Sequence, residues 1–204
     1  MRYLTQVVVD NKTAARFYSD AYIWHQRIWK AFPGKEDSNR DFLTRIDRKP
    51  GCTVVLILSP DTPTPLKWGQ WKTKQVGDAF LEHGRYMFQL KANPTVKQVV
   101  RDEAGNRRKN GLRRSITDPY ELRQWMKRKA EQGGFALEYL EVSHPVMQAF
   151  RKRGKPGSHS QVDFRGILRV VNHGLFKKTF EKGIGTAKAF GFGMLVLQPA
   201  KGGV

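Results

Sequence analysis

Short β-rich runs interrupted by two well-delimited helical patterns constrain this chain more than any other feature. The clearer helix spans 119–132: Asp118 can accept from the first free amides, Pro119 suits the first turn, and Gly133-Gly134 ends it. Leu122, Trp125, Met126 and Ala130 recur at helical spacing and predict its buried stripe. A second pattern runs from Ala21 to Ala31, with Asp20 as its N-cap and Pro33-Gly34 as its break. There Ala21, Trp24, Ile28 and Ala31 should face a core, and Tyr22, His25 and Trp29 form an adjoining stripe. A third, shorter helix is predicted over 172–182.

β-rich composition marks strands at 3–9, 39–47, 53–59, 86–91, 95–100, 135–142, 146–151, 162–171 and 193–197. Pro60, Pro63 and Pro65 punctuate a polar loop within 60–85, a stretch that stands where the second helix of the first unit is expected without giving that helix clearly. The order resembles two βαββαβ units with a junction near Ala92-Asn93-Pro94, dividing the chain into 1–92 and 93–204. The class is α+β, and a single irregular α+β domain is the alternative. With 204 residues, 39% of them apolar, and 23 aromatics, the chain has the material for such a core.

Charge narrows the partners. Lys and Arg number 37 against 18 Asp and Glu, a formal +19. Residues 1–100 carry +7 and residues 101–204 carry +12, so the stronger field lies over the second half. Charge of this size repels itself unless a polyanion or counterions screen it, and nucleic acid is the commonest polyanion. No apolar run approaches the roughly 20 residues of a membrane helix, and the first residues lack the order of a signal peptide. A cytoplasmic protein without a membrane partner is therefore expected. Cys52 stands alone, which excludes an internal disulfide or a thiolate zinc cluster, and it reads as a small core residue.

Three basic regions stand out. Arg107, Arg108, Lys109, Arg113 and Arg114 bracket a glycine as a loop or hairpin tip would, and Lys127, Arg128 and Lys129 lie on the solvent side of the 119–132 helix. Arginine grips phosphate with two donors and lysine acts as a movable point charge, but neither specifies a base sequence. A basic turn at 152–160 follows Arg151 and holds Lys152, Arg153, Lys155, Ser158, His159 and Ser160. It is either a structural hairpin with a basic tip or an RNA-contacting or catalytic loop, whose hydroxyls and imidazole could lie beside a bound phosphate. The terminal segment Gly183-Ile-Gly185-Thr-Ala-Lys188-Ala-Phe-Gly191-Phe-Gly193 exposes amides to phosphate or serves conformation alone. Its spacing is not that of a P-loop or a dinucleotide fingerprint. The five histidines are dispersed, so neither a metal site nor a cofactor is expected. His25 is the one set beside a tyrosine on a helix face, as a proton-transfer group or as part of an aromatic packing stripe.

The chain as a whole resembles the CasE family, the repeat-RNA endoribonucleases of the CRISPR Cascade complex. The resemblance rests on Tyr22-Ile-Trp-His25-Gln-Arg-Ile-Trp29, Leu90-Lys-Ala-Asn-Pro94, Glu121-Leu-Arg-Gln-Trp125-Met-Lys-Arg-Lys129, Phe164-Arg-Gly166-Ile-Leu and the glycine-rich end, in that order. It implies two tandem ferredoxin-like (RRM-like) domains, binding of a CRISPR repeat stem-loop, and metal-independent cleavage at its 3′ side. Other Cascade subunits are the implied protein partners. Tyr22 and His25 match the helix positions that the family ties to catalysis, with Arg27 adjoining them. The implied basic groove maps broadly to 107–114 and 151–160, and Arg165 departs from the Phe-Glu-Gly form expected of relatives. Cleavage would use the RNA's own 2′-hydroxyl, with His25 as general acid or base, Tyr22 orienting the hydroxyl, and Lys155 or another loop cation stabilising the phosphate. His159 is a reserve acid or base. A noncatalytic RNA-hairpin-binding subunit is the alternative function, and a DNA-binding module a more distant one.

Overall fold

In the computed structural model, residues 1–17, 21–35, 39–98, 106, 113–152 and 155–200 are described; the side chains of Ala21, Tyr22, Arg151, Lys152 and Lys155 are not. The first sheet is made by β1 (Arg2–Asp10), β2 (Leu43–Lys49), β3 (Cys52–Ser59) and β4 (Gln70–Val76). Its spatial order is β2-β3-β1-β4, and every pair is antiparallel. Between β1 and β2 come a short helix α1 (Asn11–Ala15), capped by Asp10, and α2 (Ala21–Trp29). Strand side chains alternate between faces, so Val7 and Val9 of β1 and Val55 and Ile57 of β3 reach the same core as Trp24 and Ile28 of α2.

Arg85–Ala92 (β5) begins a complete second unit. It continues through α3 (Pro119–Gln132), β8 (Phe135–Val142), β10 (Lys155–Val170), α4 (His173–Lys182) and β11 (Leu195–Pro199). The small ribbon β6 (Thr95–Lys97) with β7 (Arg113–Ser115) precedes α3, and β9 (Val146–Lys152) precedes β10. The second sheet runs β11-β5-β10-β8, all antiparallel. Relabelled within each unit, both sheets have the order 4-1-3-2 of a βαββαβ sandwich. The architecture is α+β, two tandem ferredoxin-like folds. Asp118 accepts from the Glu121 amide at 2.8 Å and Asn172 from the Leu175 amide at 2.9 Å, so α3 and α4 start where local capping chemistry sets them. Leu122, Trp125, Met126 and Ala130 are buried as their spacing requires.

Three sequence expectations change. The segment 60–85 gives no second helix for the first unit and holds β4 and a 3₁₀ turn at Asp78–Leu81. Among the described residues no helix lies between β3 and β4. The prolines disfavour one, and Leu66, Trp68 and Trp71 pack against the core instead, Trp68 lying edge-on to Trp24 at 6.0 Å. Second, β5 joins the second sheet, so the sheets change between Val76 and Arg85, upstream of the expected 92/93 division. Third, of the two readings of the basic segment the hairpin is the one whose backbone is present, and its arm extends through 155–160. Lys155 to Gln161 pair with Lys152 to Val146 as the outer half of the 16-residue β10. The Phe150 ring covers Gly157 across this ladder so closely that an added Cβ would collide with its Cζ. That cover suits glycine in a strand.

Candidate active site and nucleic-acid interface

α2 packs against β9 and against the 3₁₀ turn Lys188–Phe190 in the glycine-rich segment. Three elements far apart in sequence therefore meet around the face of α2. His25 of α2 is half-buried, its ring edge-on to Trp29 at 5.5 Å. Trp29 leans on Phe42 at 5.1 Å, and Phe42 stacks on Phe32 at 4.7 Å, so the imidazole stands on an aromatic base anchored in the first core. Tyr22 occupies the preceding turn of the same helix. Arg27 follows His25 by two positions, which on an α-helix turns it about 200° away. Its guanidinium lies over the Phe17 ring at 5.1 Å, so the structure does not bring it to the His25 face.

The glycine-rich loop closes on itself. The Ile184 amide donates to the Gly193 carbonyl at 2.8 Å, and the Gly193 amide donates to the Lys91 carbonyl of β5 at 2.8 Å. Gly183 (φ 72°) and Gly193 (φ 88°) form this closure, and a Cβ on either would meet a backbone oxygen at 2.7 or 2.6 Å. These glycines therefore have a conformational duty whatever ligand the loop meets. The same closure presents Gly185, Lys188 and Gly191 between them. Lys188 donates to the Lys182 carbonyl at 2.5 Å. Burial holds its ammonium below the usual lysine range, and the charges of Arg40, Lys182 and Lys129 push it the same way.

The hairpin and this loop are clamped together by rings. His159 stacks on Phe150 at 4.4 Å and meets Phe190 at 4.6 Å; Phe150 and Phe190 lie 4.5 Å apart. Asn93, buried, accepts from the Ser160 amide at 3.1 Å and turns its amide nitrogen to His159 Nδ1 at 3.3 Å and Thr186 Oγ1 at 3.4 Å. With Oδ1 taken by Ser160, Nδ2 is the atom that faces His159; Nδ1 then accepts and the neutral ring carries its proton on Nε2. That Nε2 is buried without a partner, and burial pushes the His159 pKa down. Ser160 is fully buried. The expectation that Ser160 and His159 present a hydroxyl and an imidazole to phosphate is thereby corrected, because both atoms face the interior; Ser158 is exposed.

The other basic candidates lie elsewhere on the second unit. Lys127 and Arg128 are exposed on α3. Arg113 and Arg114 are exposed on β7, where Arg114 pairs with Glu121 at 3.4 Å. Arg107, Arg108, Lys109 and Arg153 lie outside the described residues. Arg151, Lys152 and Lys155 are placed by backbone at the outer end of the hairpin. Arg165 pairs with Glu141 at 3.4 Å on an exposed strand face. A cleft of about 790 Å³ opens between the units, lined by β2, the base of the hairpin and Gly191. Its floor holds an ion network that single-residue reading missed. Lys91 meets Asp47 at 2.9 Å, Arg45 meets Asp47 at 2.7 Å, and Arg45 reaches Asp163 at 3.7 Å. Burial alone would raise Asp47, but the Arg45 and Lys91 charges outweigh it and hold its carboxyl below the ordinary range. Asn93 was visible in sequence only as part of a motif, and Arg40 carried no signal at all.

Among the described residues no three His, Cys, Asp or Glu side chains gather as a metal site requires. No described helix is long and apolar enough to cross a membrane.

Residues 2–199 match the family model described as CRISPR associated protein. The chain is 30% identical over 207 residues to the CRISPR system Cascade subunit CasE of Escherichia coli K12, covering 97% of this chain and 99% of that one. It is 24% identical to the CRISPR-associated endoribonuclease Cse3 of Thermus thermophilus, over 97% and 100% of the two chains. Among solved structures, Cse3 bound to a 19-nucleotide RNA superposes with a TM-score of 0.82 at 25% identity, covering 97% of this chain and all of that one. Cas6e from Escherichia coli K-12 superposes with a TM-score of 0.77 at 26% identity, over 98% and 100% of the chains.

Proposed function

Because the chain belongs to the CasE family of CRISPR associated proteins, we propose that it is the endoribonuclease that binds the CRISPR repeat stem-loop and cuts at its 3′ side, acting in the cytoplasm with other Cascade subunits. The carrying observation is the meeting of α2, the β9–β10 hairpin and the glycine-rich turn, which brings the helix that carries His25 against two cationic elements. The hairpin tip and the exposed cations of α3 supply the long-range attraction for a folded RNA.

RNA brings its own nucleophile, so the protein's task is alignment, proton transfer and charge stabilisation. His25 takes the proton of the 2′-hydroxyl next to the scissile phosphate. The 2′-oxygen forms its bond to phosphorus as the bond to the leaving 5′-oxygen breaks, and that oxygen gains a proton. The products are a 2′,3′-cyclic phosphate and a 5′-hydroxyl. Tyr22 orients the attacking group, and Lys155 at the hairpin tip stabilises the phosphate. No step calls for a metal ion.

Purified protein should cleave its repeat RNA in excess chelator, and a single 2′-deoxyribose at the cut should stop it. His25→Ala should retain hairpin binding while cleavage slows by about 10²–10⁴-fold, the usual worth of general acid–base catalysis. Cleavage of the deoxy substrate would exclude internal attack. Tight binding without scission by the unaltered protein would make it a noncatalytic hairpin-binding subunit.

A further inference from the structure

Arg40 has no role in the scheme above, yet it is the least satisfied cation near α2. Its guanidinium lies over the Phe42 ring at 5.8 Å, and Phe42 is the ring on which Trp29, the neighbour of His25, leans. Its Nη1 is buried with no hydrogen-bond partner. Among the described residues no carboxylate pairs with Arg40, Lys188 or Lys182, although nearby Lys35 is paired with both Asp41 and Asp61. Lys188 belongs to the turn that packs on α2 and on β2, the strand that begins one residue after Phe42. Arg40, through Phe42 and Trp29, and Lys188, through its turn, thus both adjoin α2, the helix that carries His25.

A buried guanidinium donor without a partner costs free energy, and like charges held together add to the cost. Burial pushes Arg40 downward from its usual range, and Arg40 heads the charges that push Lys188 down after burial itself. An anion with oxygens on more than one side relieves both defects at once. A phosphodiester has that form, and arginine's planar fork matches it.

We propose that Arg40 and Lys188 together form an oxyanion site beside His25 that grips the non-bridging oxygens of the scissile phosphodiester, with Arg40 a catalytic residue of the cleavage. The proposal rests on the cleavage reading above and adds, to the cation of the hairpin tip, a site built from Arg40 of the first unit and Lys188 of the second. As the 2′-oxygen attacks, charge accumulates on those oxygens, and the two cations stabilise it.

Single-turnover cleavage of the repeat hairpin at saturating protein tests this, alongside affinity for the same hairpin carrying 2′-deoxyribose at the cut. Arg40→Ala should slow cleavage by about 10²-fold, the worth of one preorganised oxyanion donor, and Lys188→Ala should slow it by about tenfold or more. The loss of affinity should be at least tenfold smaller than the loss of rate in Arg40→Ala. Cleavage by both variants within threefold of the unaltered protein overturns the proposal, as does an affinity loss that accounts for the whole rate loss. If Arg40→Ala no longer binds the hairpin, Arg40→Lys decides: a tenfold slower cut supports the fork, and an unchanged rate refutes it. Failure of the unaltered protein to cleave would instead remove the underlying activity.

Discussion

Asn93→Ala isolates the joint that holds the hairpin to the glycine-rich loop. In the native protein Asn93 accepts from the Ser160 amide at 3.1 Å, where strand β10 is buried. Alanine leaves that N–H unpaired in a site closed to water, which costs about 1–3 kcal/mol. The two contacts from Nδ2, at 3.3 and 3.4 Å, are longer than a good N–H···O bond and add little. The backbone carbonyl of residue 93 keeps its bond from Thr186 Oγ1 at 3.2 Å, so the loop is loosened and not released. For a chain of this length, 1 kcal/mol lowers the melting temperature by roughly 2–4 °C, giving an expected fall of roughly 2–12 °C. Thermal unfolding followed by circular dichroism reads it directly. Thr186→Val, which disturbs only the longer contacts and the carbonyl bond, should lose less. A melting temperature for Asn93→Ala within about 1 °C of the unaltered protein would refute the reasoning, because a buried donor cannot lose its acceptor without cost. So would a larger loss in Thr186→Val.

Gly193→Ala places a Cβ 2.6 Å from the Ile184 carbonyl in a left-handed backbone, so it should cost about 2 kcal/mol or more in urea unfolding. Gly77→Ala has open space and no left-handed backbone, and it should cost far less; equal losses would refute the closure argument. His159 is held below the ordinary histidine pKa by burial, so between that lower value and about 6.5 the unfolded chain binds more protons than the native one. Stability should therefore be whole above the ordinary value and fall as pH drops below it. His159→Gln should flatten this fall between pH 7.5 and 5 in urea titrations, and an unchanged slope would show that His159 does not contribute it.

Legibility followed the range of the interactions. Helix 119–132 and its buried stripe were readable because Asp118, Pro119 and Gly133 act on their immediate neighbours. The Tyr22–His25 spacing was readable for the same reason, since both sit on successive turns of one helix. Strand β4 was not, because its exposed sequence Gln-Trp-Lys-Thr-Lys-Gln-Val acquires strand geometry only from its ladder with β1. The outer half of β10 likewise reads as a turn from its glycine, proline and serines, and β9 makes it a strand.

What residue order alone determined was the α3 helix with its cap and buried stripe, the basic excess and the identity of the histidine worth watching. Which sheet β5 joined, what buried His159 and Ser160, and the seating of Arg40 over Phe42 were decided only in three dimensions. The physical reason is distance along the chain: capping and periodicity act within a few residues, whereas Asn93 meets Ser160 across 67 positions and Lys91 meets Ile46 across 45. Such pairs have no local signature, and they exist only once the two sheets have closed on each other.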